Sequence, residues 1–181
     1  MDRGVDDFTI RRLDDAEART AQHRLALLLQ DAVHHGASVG YLAPLAMADA
    51  LDYWAAVSAG VAARQRVLLV AEIEGEIAGT VQLVLETRPN GDHRAEVSKM
   101  LVHTAYRRRG IAVALMHRIE AEAHAAGRTL LVLDTQSGEP AEALYSKLGY
   151  ERTGVVPDYA RFPDGRLGAT TFMHKRLEQT T

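Results

Sequence analysis

The stretch Leu130-Leu131-Val132-Leu133-Asp134 constrains the fold of this chain more than any other. It is an unbroken apolar run closed by a carboxylate, the pattern of a strand buried on both faces. Before it runs a helical pattern from about Arg108 to Ala126, stopped by Gly127, in which Ile111, Leu115, Ile119 and Ala123 share one face. Earlier still, Arg94 to Val102 reads as a strand, with Val97 and Met100 among its apolar residues. Strand, amphipathic helix and strand in that order make a parallel crossover, with the helix laid on the sheet. Any fold for this sequence has to contain that unit.

The remainder reads as antiparallel. Val67-Leu68-Leu69-Val70-Ala71 is β-rich, Glu74-Gly75-Glu76 turns into Ile77 to Leu85, and Pro89-Asn90-Gly91-Asp92 is a second turn. Phe8, Ile10 and Leu13 give a weak strand at the start. Asp14-Asp15 then open a helix carrying Leu25, Leu27, Leu28, Leu29 and Val33, which stops near His34-His35-Gly36. A second helix is expected from about Pro44, with Leu45, Met47, Leu51, Trp54, Val57 and Val61 in helical order. Gly138-Glu139-Pro140 starts a last helix that ends at Leu148-Gly149. Two strands follow, Tyr150 to Val156 and Thr170 to Lys175, joined by the Pro/Gly-rich segment Pro157 to Gly168. The order β-α-α-β-β-β-α-β-α-β-β predicts an α+β fold whose mixed sheet is mostly antiparallel with a central parallel pair. With no repeat and no linker, residues 1–181 read as one domain.

Composition removes several classes of function. Net charge is −3, so no general nucleic-acid footprint exists. The chain has no cysteine. Disulfides, thiolate metal sites and acyl transfer through a Cys–His–Asp arrangement are therefore excluded. The start, Met1-Asp2-Arg3-Gly4-Val5-Asp6-Asp7, is polar and acidic, unlike a signal or transit peptide. No apolar run approaches the roughly 20 residues needed to cross a bilayer. A cytoplasmic protein without a membrane partner is expected.

The segment Val102-His103-Thr104-Ala105-Tyr106-Arg107-Arg108-Arg109-Gly110-Ile111-Ala112 carries the clearest chemistry. A strand ends, the chain turns, and Gly110 and Ala112 are expected in the first turn of a helix. Free N–H groups at a helix N-terminus and the positive end of its dipole bind phosphate. Small residues at 110 and 112 let an anion approach the backbone, and the three arginines add charge. The turn is neither Gly-Lys-Ser/Thr nor Gly-x-Gly-x-x-Gly, so it is not a Walker or Rossmann loop.

Arg107, Gly110 and Ala112 match the Arg/Gln-x-x-Gly-x-Gly/Ala signature of the GNAT superfamily of N-acetyltransferases, which this chain resembles. The resemblance continues through Leu133-Asp134 and through Ala141-Glu142-Ala143-Leu144-Tyr145-Ser146-Lys147-Leu148-Gly149-Tyr150. Within that superfamily, His35 to Gly40, Pro89-Asn90-Gly91, Arg94 to Val97, Leu133-Asp134-Thr135 and Pro163 to Leu167 are similar to enzymes that acetylate a β-lactam amino-acid toxin. The resemblance implies an acetyl group moved directly from acetyl-CoA to an amine, with no acyl-enzyme. It implies that the diphosphate rests on the backbone of Arg108, Arg109, Gly110, Ile111, Ala112 and Val113, beside Arg107. The pantetheine arm would lie between the fourth and fifth strands against Met100, Leu101 and Val102, with an amide at Leu101 or Val102 facing the thioester oxygen.

An alkyl ammonium has a pKa near ~10.4 and must lose a proton before it attacks. Glu96 and Asp134 are the candidate proton acceptors or ammonium anchors, and either can hold either role. Asp92 and His93 are weaker alternatives. Without the resemblance, Glu96 would read as a surface residue paired with Arg94, and Asp134 as a cap for the Pro140 helix. Tyr145 is the candidate acid for the departing thiolate, although Ala141, Leu144, Tyr145 and Leu148 form one helical face and would equally suit a core. Tyr145 would also contact the cofactor. Ser38, Tyr41, Asp134 and Tyr159 are candidate acceptor contacts, with Tyr53, Trp54, Asp164 and Arg166 as further wall residues. His34 and His35 point about 100° apart on a helix and cannot chelate together; His117 and His124 lack any zinc-site spacing. The expected acceptor is the amine of a small molecule. Acetylation of protein amino groups and non-catalytic CoA sensing are the competing readings, and family analogy allows a homodimer.

Overall fold

The structure, a computed structural model, describes residues 8–162 and 164–178. Seven strands form one sheet: β1 (Thr9–Arg12), β2 (Arg66–Ile73), β3 (Glu76–Leu85), β4 (Arg94–Val102), β5 (Leu130–Gln136), β6 (Glu151–Arg161) and β7 (Leu167–Arg176). Their order is β1-β2-β3-β4-β5-β7-β6, and every pairing is antiparallel except β4 with β5. The predicted mixed sheet with one central parallel pair is the observed one.

Four helices cover the sheet: α1 (Asp15–His34), α2 (Met47–Ala62), α3 (Ile111–Ala125) and α4 (Pro140–Lys147). Strand alternation divides the apolar side chains between two cores. Val67, Leu69, Leu83, Val97, Leu131 and Leu133 meet α3 and α4, whereas Leu68, Val70 and Leu101 meet α1 and α2. Asp14 caps α1 by accepting the N–H of Glu17 at 2.8 Å, while the Glu17 carboxylate accepts the Asp14 N–H at 3.0 Å.

The structure corrects four local expectations. First, β5 is not sealed on both faces: Leu131 and Leu133 are buried, but Leu130 and Val132 are only half-buried. The α1–α2 core takes its sheet residues from β2, β3 and β4 and leaves that face of β5 uncovered. Second, α2 starts at Met47 rather than near Pro44. Third, α3 starts at Ile111 rather than Arg108, because a 3₁₀ turn, Thr104–Tyr106, intervenes and Gly110 is the N-cap. Fourth, the segment from Pro157 to Gly168 is largely strand. β6 absorbs Pro157 because it is the edge of the sheet, where a missing N–H breaks no ladder, and its register with β7 shifts between Val156 and Ala160.

Gly79 on β3 sets how closely α3 approaches the sheet. A Cβ there would lie 2.9 Å from the Leu101 carbonyl oxygen, 3.1 Å from Ile111 and 3.2 Å from Leu115. Gly79→Val is expected to lower stability by about 1–3 kcal/mol through overpacking, read as a fall in the urea midpoint with an unchanged slope.

Candidate active site

β4 and β5 pair only through Arg94–Leu130, Ala95–Leu131 and Glu96–Val132. Beyond that point β4 runs on to Val102 and β5 to Gln136 with no ladder between them. The cause lies in β4. Its register with β3 slips between Thr80 and Gln82, and Lys99 takes a left-handed φ of 49°. The extra residue is a bulge, which bends its strand and increases the local twist. A cleft therefore opens in the middle of the sheet.

The turn expected to bind phosphate lies at the end of β4. Gly110 has φ 82°, the left-handed region where glycine carries no steric cost, and no side chain caps α3. Leading into the helix, the first main-chain bond is from the Ala114 N–H to the Gly110 carbonyl at 3.1 Å. The N–H groups of Gly110, Ile111, Ala112 and Val113 have no acceptor among the described residues. A Cβ on Gly110 would meet nothing within 4 Å, so the space before these donors is open. Arg107, Arg108 and Arg109 are all exposed there. Arg107 Nε donates to the Val102 carbonyl at 3.3 Å, Arg108 sits at φ 62°, and the Arg109 guanidinium lies 5.4 Å from the Tyr106 ring centroid. Asp31 of α1 braces the turn by accepting from the Thr104 N–H at 2.9 Å and its hydroxyl at 2.8 Å.

Glu96 and Asp134 flank the cleft on the α1–α2 face. Glu96 is level with Val132, and alternation puts Asp134 on the same face as Val132. Both stay exposed at the mouth, and neither makes a hydrogen bond to another described residue. The surroundings push the Glu96 carboxyl up, through desolvation first and the Asp134 charge second; Lys99 and Arg66 oppose the rise. The competing roles are not seen: Arg94 pairs with Glu86 at 2.7 Å, and the N-cap position of α4 is Glu139, with no side-chain capping bond there. Tyr145 approaches from the α3–α4 face. Its ring is buried at 7% exposure, 5.9 Å from Tyr150. Its pKa is pushed up to about 12, by burial and then by Asp134, so the phenol stays protonated at neutral pH.

The other wall comes from α2 and the loop before it. Tyr41 meets Tyr53 edge-to-face at 5.9 Å, and the Tyr53 hydroxyl accepts from Gln82 Nε2 at 2.9 Å. Tyr159 meets Phe172 edge-to-face at 5.2 Å, and Phe172 pairs with Asp134, so the β6–β7 hairpin reaches the same mouth. Ser38 is half-buried in the preceding loop and makes no hydrogen bond to the carboxylates. Trp54 is fully buried between α1 and α2 and does not line the cleft. Asp164 and Arg166 pair with each other at 2.6 Å on the exposed hairpin end. Asp92 and His93 lie at the paired end of β4, where the His93 carbonyl accepts from Thr129 and Leu130. His34 accepts the Leu45 N–H at 3.2 Å and His35 bonds the Asp31 carbonyl; no group of three or more His, Asp or Glu suits a metal among the described residues. Sequence reasoning missed Lys99, Arg66 and Gln82. Lys99 left a trace, because Ser98-Lys99 breaks the alternation of β4, and Gln82 left one as a polar residue inside an apolar run.

Residues 40–150 match the family model for GNAT acetyltransferases. The chain belongs to that family. A relative in Azospirillum brasilense, described as an uncharacterized N-acetyltransferase in the hisH-hisA intergenic region, is 34% identical over 140 residues, 75% of this chain and 81% of the relative. Among solved structures, an N-acetyltransferase from Staphylococcus aureus Mu50 superposes with a TM-score of 0.79 at 18% identity, covering 95% of this chain and 99% of the other. YncA of Salmonella typhimurium, a putative acetyltransferase solved with its cofactor acetyl-CoA, gives 0.77 at 23% identity over 97% and 96%. These two likenesses carry the fold. As a GNAT enzyme, this chain is an acetyl-CoA-dependent N-acetyltransferase.

Free donors in open space suit a diphosphate, and Gly110→Leu tests that fit. The new side chain occupies the approach to the amides, and because Gly110 holds φ 82° it also strains the backbone, so the melting temperature of the variant is measured beside its affinity. The acetyl-CoA dissociation constant measured by calorimetry is expected to rise at least ~10-fold, equivalent to about 1.4 kcal/mol; unaltered affinity would reject the assignment.

Proposed function

We propose that this enzyme acetylates the amine of a small molecule, with the diphosphate of acetyl-CoA on the amides from Arg108 to Val113 and the thioester in the β4–β5 cleft. One observation carries the reading: the cleft lies between a carboxylate pair, Glu96 and Asp134, and a buried, protonated phenol, Tyr145. Acetyl-CoA supplies the activated acyl group. The chain supplies position and protons.

The His103 N–H bonds the Ala78 carbonyl on β3 at 2.9 Å. Alternation from that bond turns the main-chain groups of Met100 and Val102 toward the cleft and those of Leu101 toward β3. Val102 is thus the better placed donor for charge developing on the thioester oxygen. Glu96 draws in the ammonium and takes its proton, directly or through water, while Asp134 holds the second charge of the pair. Desolvation, and then the Asp134 charge, push the Glu96 carboxyl up, which makes it a stronger proton acceptor than an ordinary carboxylate. Tyr145 donates its O–H to the leaving thiolate, whose pKa resembles the ~8.5 of a cysteine, and as the thiol forms a proton from solvent restores the phenol.

A small acceptor is supported by the wall that α2, Tyr41, Tyr53 and the hairpin tyrosine build around the cleft. The likeness of several segments to the tabtoxin resistance enzyme supports a β-lactam amino-acid toxin as acceptor and a detoxifying role in the cytoplasm. A homodimer is supported by the exposed apolar side chains of the hairpin, Val155, Val156, Tyr159 and Leu167.

Thiol release from acetyl-CoA with a panel of small amines, amino acids, β-lactam amino acids and peptides tests the reading. Turnover is expected with small amines; turnover confined to peptides would overturn it. In the wild type kcat/KM is expected to rise with pH through the upward-shifted carboxyl, since only the ionised form accepts a proton. Glu96→Gln should lower kcat ~100-fold or more and remove that limb; a retained limb would pass the role to Asp134. Tyr145→Phe is expected to cut turnover with acetyl-CoA affinity nearly intact, and unchanged turnover would assign Tyr145 to packing.

A further inference from the structure

Lys99 is the least expected side chain of the cleft. It occupies a left-handed φ of 49° inside a strand, a conformation rare and costly for a residue with a Cβ. Strain of that kind persists where the surroundings fix it, and it is a pointer to function. The bulge brings the ammonium into the pocket wall. Its Nζ lies 5.3 Å from the Tyr53 ring centroid, and a Cβ on Gly40 would be 4.0 Å away, so the loop before α2 closes over it. Lys99 makes no hydrogen bond and no ion pair within 4.0 Å to any described residue. The aromatic face holds the charge in place and leaves its three N–H donors unspent.

The charges around Lys99 form two opposed pairs. Glu96 and Asp134 are anionic; Lys99 and Arg66 are cationic, and each of the four acts on Glu96 or Lys99 through its field. Arg66 sits in the same cross-strand row as Glu96, through Val84, and donates one N–H to Gln82 Oε1 at 2.8 Å. A lysine that only balanced the carboxylates would contact one of them directly. A bare alkyl ammonium entering this pocket would meet a cation beside the carboxylates it needs. An acceptor carrying both an ammonium and a carboxylate would satisfy both pairs at once.

From this geometry we infer that Lys99 selects the acceptor, binding the carboxylate of an amino acid whose amino group faces Glu96 and Asp134. The inference rests on the reading of the cleft as an acetyl-transfer site for small amines. It adds a specificity-determining residue that contacts no reacting atom. Burial lowers the Lys99 ammonium's hold on its proton, and the charges of Asp134 and Glu96 counter that.

The test compares each standard amino acid with its methyl ester and with the amine left by its decarboxylation, for the wild type and for Lys99→Met and Lys99→Arg. Thiol release gives kcat and KM separately. Wild-type kcat/KM is expected to favour the amino acid at least ~10-fold, as loss of one charge-assisted contact would give. Lys99→Met should erase that preference mainly through KM, and Lys99→Arg should restore most of it. Equal losses on all three compound classes, or a wild type indifferent to the carboxylate, would overturn the inference while small-amine acetylation stands. No turnover of any member, with acetyl-CoA binding intact by calorimetry, would remove the underlying reading and the inference together. Melting temperature and acetyl-CoA affinity of Lys99→Met near those of the wild type would tie its kinetic losses to the pocket; a large fall in either would assign Lys99 to the fold and overturn the inference.

Discussion

The parting of β4 from β5 after Glu96 governs the rest of the molecule. A parallel pair normally stays closed, since each main-chain group left without a partner inside a protein costs free energy. Here an extra residue at Lys99 turns the strand out of register with β3, and twist carries it away from β5. The main-chain groups turned toward the opening by that parting belong to Met100 and Val102, the Val102 carbonyl accepting from Arg107. The same event aims a strained side chain into the opening, sets Glu96 at its closed end and leaves Asp134 across it. Scaffold and site are one structure.

The opening is useful because rigid elements fix what surrounds it. Gly79 lets α3 settle against β3 and β4, so the helix N-terminus and its unspent N–H groups stand at a constant distance from the cleft. Asp31 ties α1 to the same turn through Thr104. The open amides before α3 and the β4–β5 cleft are then separated by a fixed length of β4, which is what the proposed side-by-side binding of two reactants requires.

Most of the fold was legible because its signals are local. The crossover, the capped start of α1 at Asp14 and the stop at Gly127 depend on nearest neighbours, and the order and type of the elements are as predicted although several of their ends are not. The uncapped, glycine-led start of α3 was legible for the same reason, since it is set by a few consecutive residues. The errors came where burial depends on distant elements. The run Leu130–Leu133 looks equally apolar whether or not α1 and α2 reach over it, so its half-open face could not be read from the strand itself. Pro157 broke a strand pattern only on the assumption of an interior position. Glu96 and Asp134 were found through spacing and resemblance, whereas Arg66 and Gln82 enter the wall through cross-strand register. Lys99 was visible as a lapse in alternation, but its meaning needed the bulge.

Outermost strand β6 has solvent along nearly its whole length and carries apolar residues there. A flat ribbon of that length would recruit the edges of other chains and grow into larger aggregates. Pro157 removes a donor from the middle of the ribbon, and the adjoining irregularity, with Asp158 at φ 53°, throws the remaining donors out of line. Pro157 and the register break make this edge a poor template for an eighth strand, while the apolar side chains of the hairpin stay exposed for contacts of another kind.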